Sequence, residues 1–285
     1  MLEVEGVSFA YPGGGAVLAD IAFSARAGDV LAIVGRNGAG KSTLLRLLDG
    51  LRQPRTGSIT VDGHSTAQTP VHVLARHIGT VFQAPEQQIF NASVWDEIAF
   101  GPRQLGLTGE ALRRRINEAL DRVDLAGVAK RHPLDLDQAG RRMVALGSVL
   151  AMRPAVLLLD EPQRGLDARA MLRLETLIGE EAAAGRCVIL VCHDMDFVAR
   201  SANRVLALAG GRLVADCSTL EFFTDDARTR QAGVEVPDPL LLSRSLGLPP
   251  TLTAAALARL WIEARRKAAA SCGAALYSLE GDAPK

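Results

Sequence analysis

The apolar positions of this chain fall into three textures. Val30-Leu31-Ala32-Ile33-Val34 is apolar at every position, as suits a short buried parallel strand, and Val156-Leu157-Leu158-Leu159 and residues 187–192 are runs of the same kind. Between Leu2 and about Ser24 the pattern alternates instead (Leu2, Val4; Val7, Phe9, Tyr11; Val17, Leu18, Ile21, Phe23) and is broken by Pro12-Gly13-Gly14-Gly15, which predicts hairpin strands. Gly57 to Gly63 predicts another strand closed by an Asp-Gly turn, and Ile78 to Phe82 a further one ending at Gln83. A small antiparallel subdomain is therefore expected beside a parallel sheet.

The third texture is helical. It starts directly after Ser42, with Leu44, Leu45, Leu47 and Leu48, and returns from Pro85 to about Leu150 as an inserted helical subdomain. The clearest helix there follows Thr108, with Leu112, Ile116, Leu120 and Val123 on one face and Arg113-Arg114-Arg115 turned mostly to solvent. Residues 168–184 predict another helix, Val205–Leu208 and Arg212–Ala215 a closing hairpin through Gly210-Gly211, and Ser218 or Thr219 the cap of a short helix through Phe223. From about Gly233 prolines 237, 239, 249 and 250 punctuate two helical patterns. The expected division is a 1–232 domain, with its helical insert at about 85–150, and a 233–285 appendage whose last eight or so residues fray. The second appendage helix, about 251–266, sets Leu257, Leu260 and Trp261 against Arg259, Glu263 and Arg266; its apolar side suits either the chain's own core or a partner.

Chemistry enters at Gly35 to Thr43, which reads Gly-Arg-Asn-Gly-Ala-Gly-Lys-Ser-Thr between the first apolar strand and the first helix. Strand, glycine loop and helix in that order make a phosphate-binding loop. Gly35, Gly38 and Gly40 let backbone N–H groups reach phosphates, with Arg36, Asn37 and Ala39 between them; Lys41 is placed to reach the β- and γ-phosphates and Ser42 to ligate Mg²⁺. The 156–159 strand ends in Asp160-Glu161. A strand beside the phosphate-loop strand would let Asp160 hold Mg²⁺ and Glu161 orient or deprotonate water. His193 ends the next strand, where a γ-phosphate would lie. Tyr11 offers a ring to the core or to an adenine.

Composition narrows the partners. Lys+Arg and Asp+Glu both count 32 in 285 residues, so no net basic field points to nucleic acid. No apolar run approaches the ~20 residues of a membrane span. The N-terminus lacks a signal pattern, so the expected location is cytosolic or peripheral on the cytosolic side of the cell membrane. Cys187, Cys192, Cys217 and Cys272 lack metal-site spacing and are expected as reduced thiols.

Taken together, residues 2 to about 230 resemble the ATP-binding-cassette (ABC) ATPases. Tyr11 matches that family's adenine-stacking aromatic, Gly35 to Thr43 its Walker A loop, Gln83 its Q-loop glutamine, Asp160 the Walker B aspartate, Glu161 the catalytic glutamate, Gly165-Leu166-Asp167 the D-loop and His193 the switch histidine. The resemblance implies an α/β phosphate-loop NTPase core, ATP and Mg²⁺ as cofactors, Ser42, Gln83 and Asp160 around the metal, and Glu161, His193, Gln83 and Lys41 in catalysis. Val81 to Phe90 and Asp96 to Pro102 look like the ATPases of energy-coupling-factor (ECF) importers, which take up vitamins and transition-metal ions. This narrower likeness implies a second ATPase subunit, an integral membrane coupling subunit and a membrane-embedded substrate-binding subunit.

One departure stands out. The family's Leu-Ser-Gly-Gly-Gln signature falls on Leu136-Asp137-Gln138-Ala139-Gly140, so an aspartate replaces the serine. That implies a weakened signature, and a heterodimer with an intact-signature partner over a homodimer. Export rather than import, a soluble ABC protein working on ribosomes or DNA, and a non-hydrolysing regulatory subunit are the competing readings.

Overall fold

A computed structural model describes residues 1–279 of the chain. The N-terminal strands β1 (Leu2–Ala10) and β2 (Ala16–Ala25) form the expected hairpin, and β3 (Val30–Val34) leads into helix α1 (Lys41–Leu48). Then come β4 (Thr56–Val61), β5 (His64–Ser65), the single turn α2 (Val71–Leu74) and β6 (Ile78–Val81). Between β6 and β7 (Val156–Asp160) lie three longer helices, α3 (Val94–Gln104), α4 (Gly109–Arg122) and α5 (Gln138–Met152). Helix α6 (Ala168–Ala183), β8 (Cys187–Val191), α7 (Met195–Ser201) and the hairpin β9 (Arg204–Ala209) and β10 (Arg212–Ser218) follow, then α8 (Thr219–Thr224), α9 (Asp226–Ala232), α10 (Asp238–Ser245) and α11 (Ala254–Leu279).

The strands form two sheets. One is antiparallel, in the order β2-β1-β4-β5; the other runs β10-β9-β3-β8-β7-β6 and is parallel except for β10. The order corrects one expectation: β7 is not the neighbour of β3, because β8 lies between them. Asp160 thus sits two strands from the phosphate loop, about 10 Å at ordinary strand spacing. The sheet bridges that gap because all three strands point their C-terminal ends the same way.

The uninterrupted apolar runs are explained by what covers each face. Leu31, Ile33, Val156, Leu158, Cys187, Ile189, Leu206 and Leu208 pack with α1 and the antiparallel sheet, while Ala32, Val34, Leu157, Leu159, Val188, Leu190, Val205 and Ala207 pack with α3–α6 and Phe222 and Phe223. Odd and even positions therefore enter different cores, and a polar residue on either parity would be buried. Cys187, Cys192 and Cys217 are free thiols, and burial pushes Cys187 up to about 12.

Helix α11 runs longer than expected, because the alanine-rich stretch after Arg266 continues the helix. Of the tail expected to fray, residues 278–279 close that helix and 280–285 lie outside the described residues. Leu257 and Leu260 are half-buried and Trp261 is exposed.

The helices between β6 and β7 are tied to the rest through a buried carboxylate on α6. Glu181 is 1% exposed, and its oxygens meet Arg122 of α4 at 2.6 Å and Arg186 at 2.7 Å, off the axis of an aligned hydrogen bond. Arg122 also reaches Glu180 at 2.9 Å, and Arg173 donates to the Arg122 carbonyl. Of the arginine triplet, Arg113 and Arg114 face solvent, whereas Arg115 donates to the Ala151 carbonyl at the end of α5. Glu181→Ala leaves two guanidinium groups around an emptied pocket and is expected to lower the unfolding free energy by about 3 kcal/mol. The measurement is the urea midpoint at unchanged m-value; a loss below about 0.5 kcal/mol would show that solvent already screens the cluster.

Candidate active site

The loop after β3 is shaped by what crowds it. Gly35 has φ +143°, and a Cβ there would overlap the Leu208 carbonyl oxygen at the end of β9. Gly40 caps α1 in the left-handed region, φ +104°, with Leu18 Cδ2 2.6 Å from where a Cβ would be. No side chain caps this helix. Its first backbone N–H groups are therefore open to an anion, with the helix dipole behind them. Lys41 is buried and donates from Nζ to the carbonyls of Gly35 (2.7 Å) and Arg36 (3.0 Å). Burial pulls its pKa down, opposed by Glu161 and Asp160.

Asn37, Gly38, Gly40, Lys41, Ser42 and Thr43 share one cavity of about 330 Å³ with Gln83, Asp160, Glu161, His193, Val17 and Val191. Residues from four separate strand ends and the glycine loop thus meet around a space lined chiefly by polar atoms. Gly35 and Arg36 line the adjoining cavity with Asn37, His193, Met195 and the 233–235 segment. Ala39 is buried under the loop. Tyr11 does not line the cavity. Its hydroxyl lies 3.3 Å from Thr43 Oγ1, which pulls its pKa down, its ring packs edge-on against Phe9, and the Arg52 guanidinium sits 5.9 Å from its centroid.

The acids are held in different ways. Burial first, and the Glu161 charge second, push the Asp160 pKa up. Glu161 has φ +50°, a left-handed conformation unusual for a glutamate, fixed by its N–H donating to Val191 O (2.9 Å) and by Arg142 Nη1 donating to its carbonyl (2.9 Å). Gln163 Nε2 donates to Glu161 Oε2 at 2.8 Å, and His193 Nε2 stands 3.3 Å from Oε1. The second Arg142 nitrogen, Nη2, donates to the Gln83 carbonyl at 2.9 Å.

Arg142 and Gln163 were not among the residues expected from the sequence. The available signal for Arg142 was an arginine amid the apolar positions of α5, where it is 2% exposed; for Gln163 it was only proximity to the paired acids. The Leu136–Gly140 stretch lies at the start of α5, outside this cavity. There Asp137 caps the helix, accepting from Gly140 N at 2.7 Å, and Gln138 packs on Gly165, where a Cβ would lie 2.6 Å from its Cδ. Asp167 caps α6 in the same manner through Ala170 N.

The donors suit a hard cation shared with phosphates. Ser42 hydroxyl, Gln83 amide oxygen and Asp160 carboxylate border one cavity, and among the described residues no cluster of three or more His, Cys, Asp or Glu forms a ready-made cage. Mg²⁺ characteristically takes one or two carboxylates and completes its shell with phosphate, neutral oxygens and water, so a set with the single carboxylate of Asp160 fits it.

Residues 18–164 match the ABC transporter family. A putative ABC transporter ATP-binding protein of Pyrococcus furiosus is 39% identical over 259 residues, 91% of this chain and 98% of that protein. The energy-coupling factor transporter ATP-binding protein EcfA2 of Symbiobacterium thermophilum is 38% identical over 241 residues, 82% of this chain and 84% of its own. Among solved structures, CbiO1 of Clostridium perfringens, described as part of the ABC transporter complex CbiONQ, superposes with a TM-score of 0.72 at 32% identity, covering 80% of this chain and 92% of that one. The chain belongs to the ABC transporter family, as one of its ATP-binding ATPase proteins.

Proposed function

We propose that this protein is the ATP-hydrolysing subunit of an ECF-type importer of a vitamin or transition-metal ion, peripheral on the cytoplasmic face of the membrane and working as half of an ATPase dimer. The observation that carries the hydrolytic reading is the meeting of Lys41, Ser42, Gln83, Asp160, Glu161 and His193 around one cavity. The ECF reading is supported by the likeness to EcfA2 and CbiO1. No described helix is long and apolar enough to cross a membrane, so translocation falls to other polypeptides.

In this reading the glycine-loop amides and Lys41 hold the β- and γ-phosphates, and Lys41 exchanges its two loop carbonyls for phosphate oxygens. Ser42, Gln83 and Asp160 would hold Mg²⁺, which when bound would offset charge on the phosphates. Glu161 takes a proton from water as the water oxygen bonds to phosphorus and the bond to the bridging oxygen breaks. His193 steadies the γ-phosphate, and Tyr11 stacks on adenine. The solute is chosen by another subunit.

Docking to a membrane coupling subunit is supported by an apolar groove of about 400 Å³ that opens beside the Gln83 loop, lined by Leu51, Val71, Phe82, Phe90 and Phe100, all exposed. Asp49 also lines it, its carboxyl pushed up to about 6 by burial. Any helix seated here touches the segment that carries Gln83.

The heterodimer reading rests on Asp137. Its carboxylate sits where the family has a serine facing the partner's γ-phosphate, a like-charge encounter. Glu161→Gln should therefore abolish most turnover of the complex while ATP still binds, and the matching change in the partner ATPase should cost less. Steady-state hydrolysis of the two single variants decides it, and equal losses would contradict the asymmetry. Phe90→Glu should cut co-purification of membrane subunits at least tenfold with an unchanged melting temperature; undiminished capture would place the docking surface elsewhere.

A further inference from the structure

Two glutamine side chains stand close to the chemistry, and only one of them belongs to the motif set. We propose that the other, Gln163, is a positioning residue for hydrolysis: its amide fixes one oxygen of Glu161 so that the other faces the water. This rests on the reading of Glu161 as the group that handles water.

The geometry is specific. Gln163 and Glu161 are both buried, 9% and 7% exposed, and Gln163 Nε2 lies 2.8 Å from Glu161 Oε2. The amide can point only one way, since its oxygen in that position would oppose a carboxylate oxygen at contact distance. The bond is thus an N–H donated to an anion, among the stronger kinds of hydrogen bond in a protein. It occupies Oε2 and leaves Oε1, which is buried without a hydrogen-bond partner and lies 3.3 Å from Nε2 of His193, a residue that lines the same cavity as Glu161.

The rest of Glu161 is already immobile. Val191 and Arg142 hold its N–H and carbonyl in the left-handed conformation. The side-chain torsions are what remain free, and Gln163 is the donor that restrains them. The Gln163 carbonyl oxygen is buried without a partner, a cost that an apolar residue of equal size would avoid. A purely space-filling role does not account for a buried amide with half its hydrogen-bonding capacity unused. Its Nε2 contact with Glu161 does.

The test uses the assembled transporter complex. Gln163→Met keeps length and approximate volume and removes the donor. Expected is a fall in kcat of tenfold or more, with ATP affinity, read by binding of a fluorescent nucleotide, within twofold of the parent. In a Glu161→Gln background the same substitution should cause no further loss of the residual single-turnover rate, because Gln163 acts through the carboxylate. In the nucleotide-free chain, the Gln163 side-chain amide resonance should be displaced from those of exposed glutamines and move in Glu161→Ala. An unchanged kcat, a parallel loss of nucleotide affinity, or an equal further loss in the Glu161→Gln background overturns the proposal. Should Glu161→Gln itself leave turnover intact, it is the reading of Glu161 that fails.

Discussion

Everything at the active site depends on how tightly the chain is folded back just after β3. The Leu208 carbonyl occupies the space a Cβ would need at Gly35, and Leu18 does the same at Gly40. With no side chain admitted at either glycine the backbone can turn there, and α1 starts with no side chain capping its N–H groups. The crowding comes from β9 and β2, one strand from each sheet, so the loop takes this shape only once both sheets have assembled. Folding and binding competence are in that sense the same event.

The parallel sheet then distributes the chemistry. β3, β8, β7 and β6 end at the same edge, and each contributes through its last residue or those that follow it: Lys41 and Ser42, His193, Asp160 and Glu161, and Gln83. Because β3 and β8 are apolar at every position and β7 at every position before Asp160, these three strands admit reactive polar groups only at or past their C-terminal ends. A single rule, two buried faces, thereby confines the reactive side chains to one rim.

That rim was largely legible in the sequence, since a glycine loop between strand and helix, paired acids after an apolar run and a histidine after the next are local patterns. The strand order was not: which strand lies beside β3 is settled by crossovers, and both β7 and β8 fit the same description as sequences. Arg142 escaped for a related reason. Its partners are backbone carbonyls at Glu161 and Gln83, and carbonyls leave no mark on a sequence. The length of α11 was missed because alanine-rich sequence carries helix propensity without the apolar stripe that marks a packed face.

Arg142 has a consequence beyond bracing. One planar guanidinium grips the loop that borders the apolar groove and the loop that carries Glu161, so the two have a common lever. By reciprocity, whatever factor an occupant of the groove imposes on nucleotide affinity by shifting Gln83, a bound nucleotide imposes on the groove's affinity in return. A cargo signal and a fuel signal would then be two ends of a single stiff rod, with no separate messenger between them.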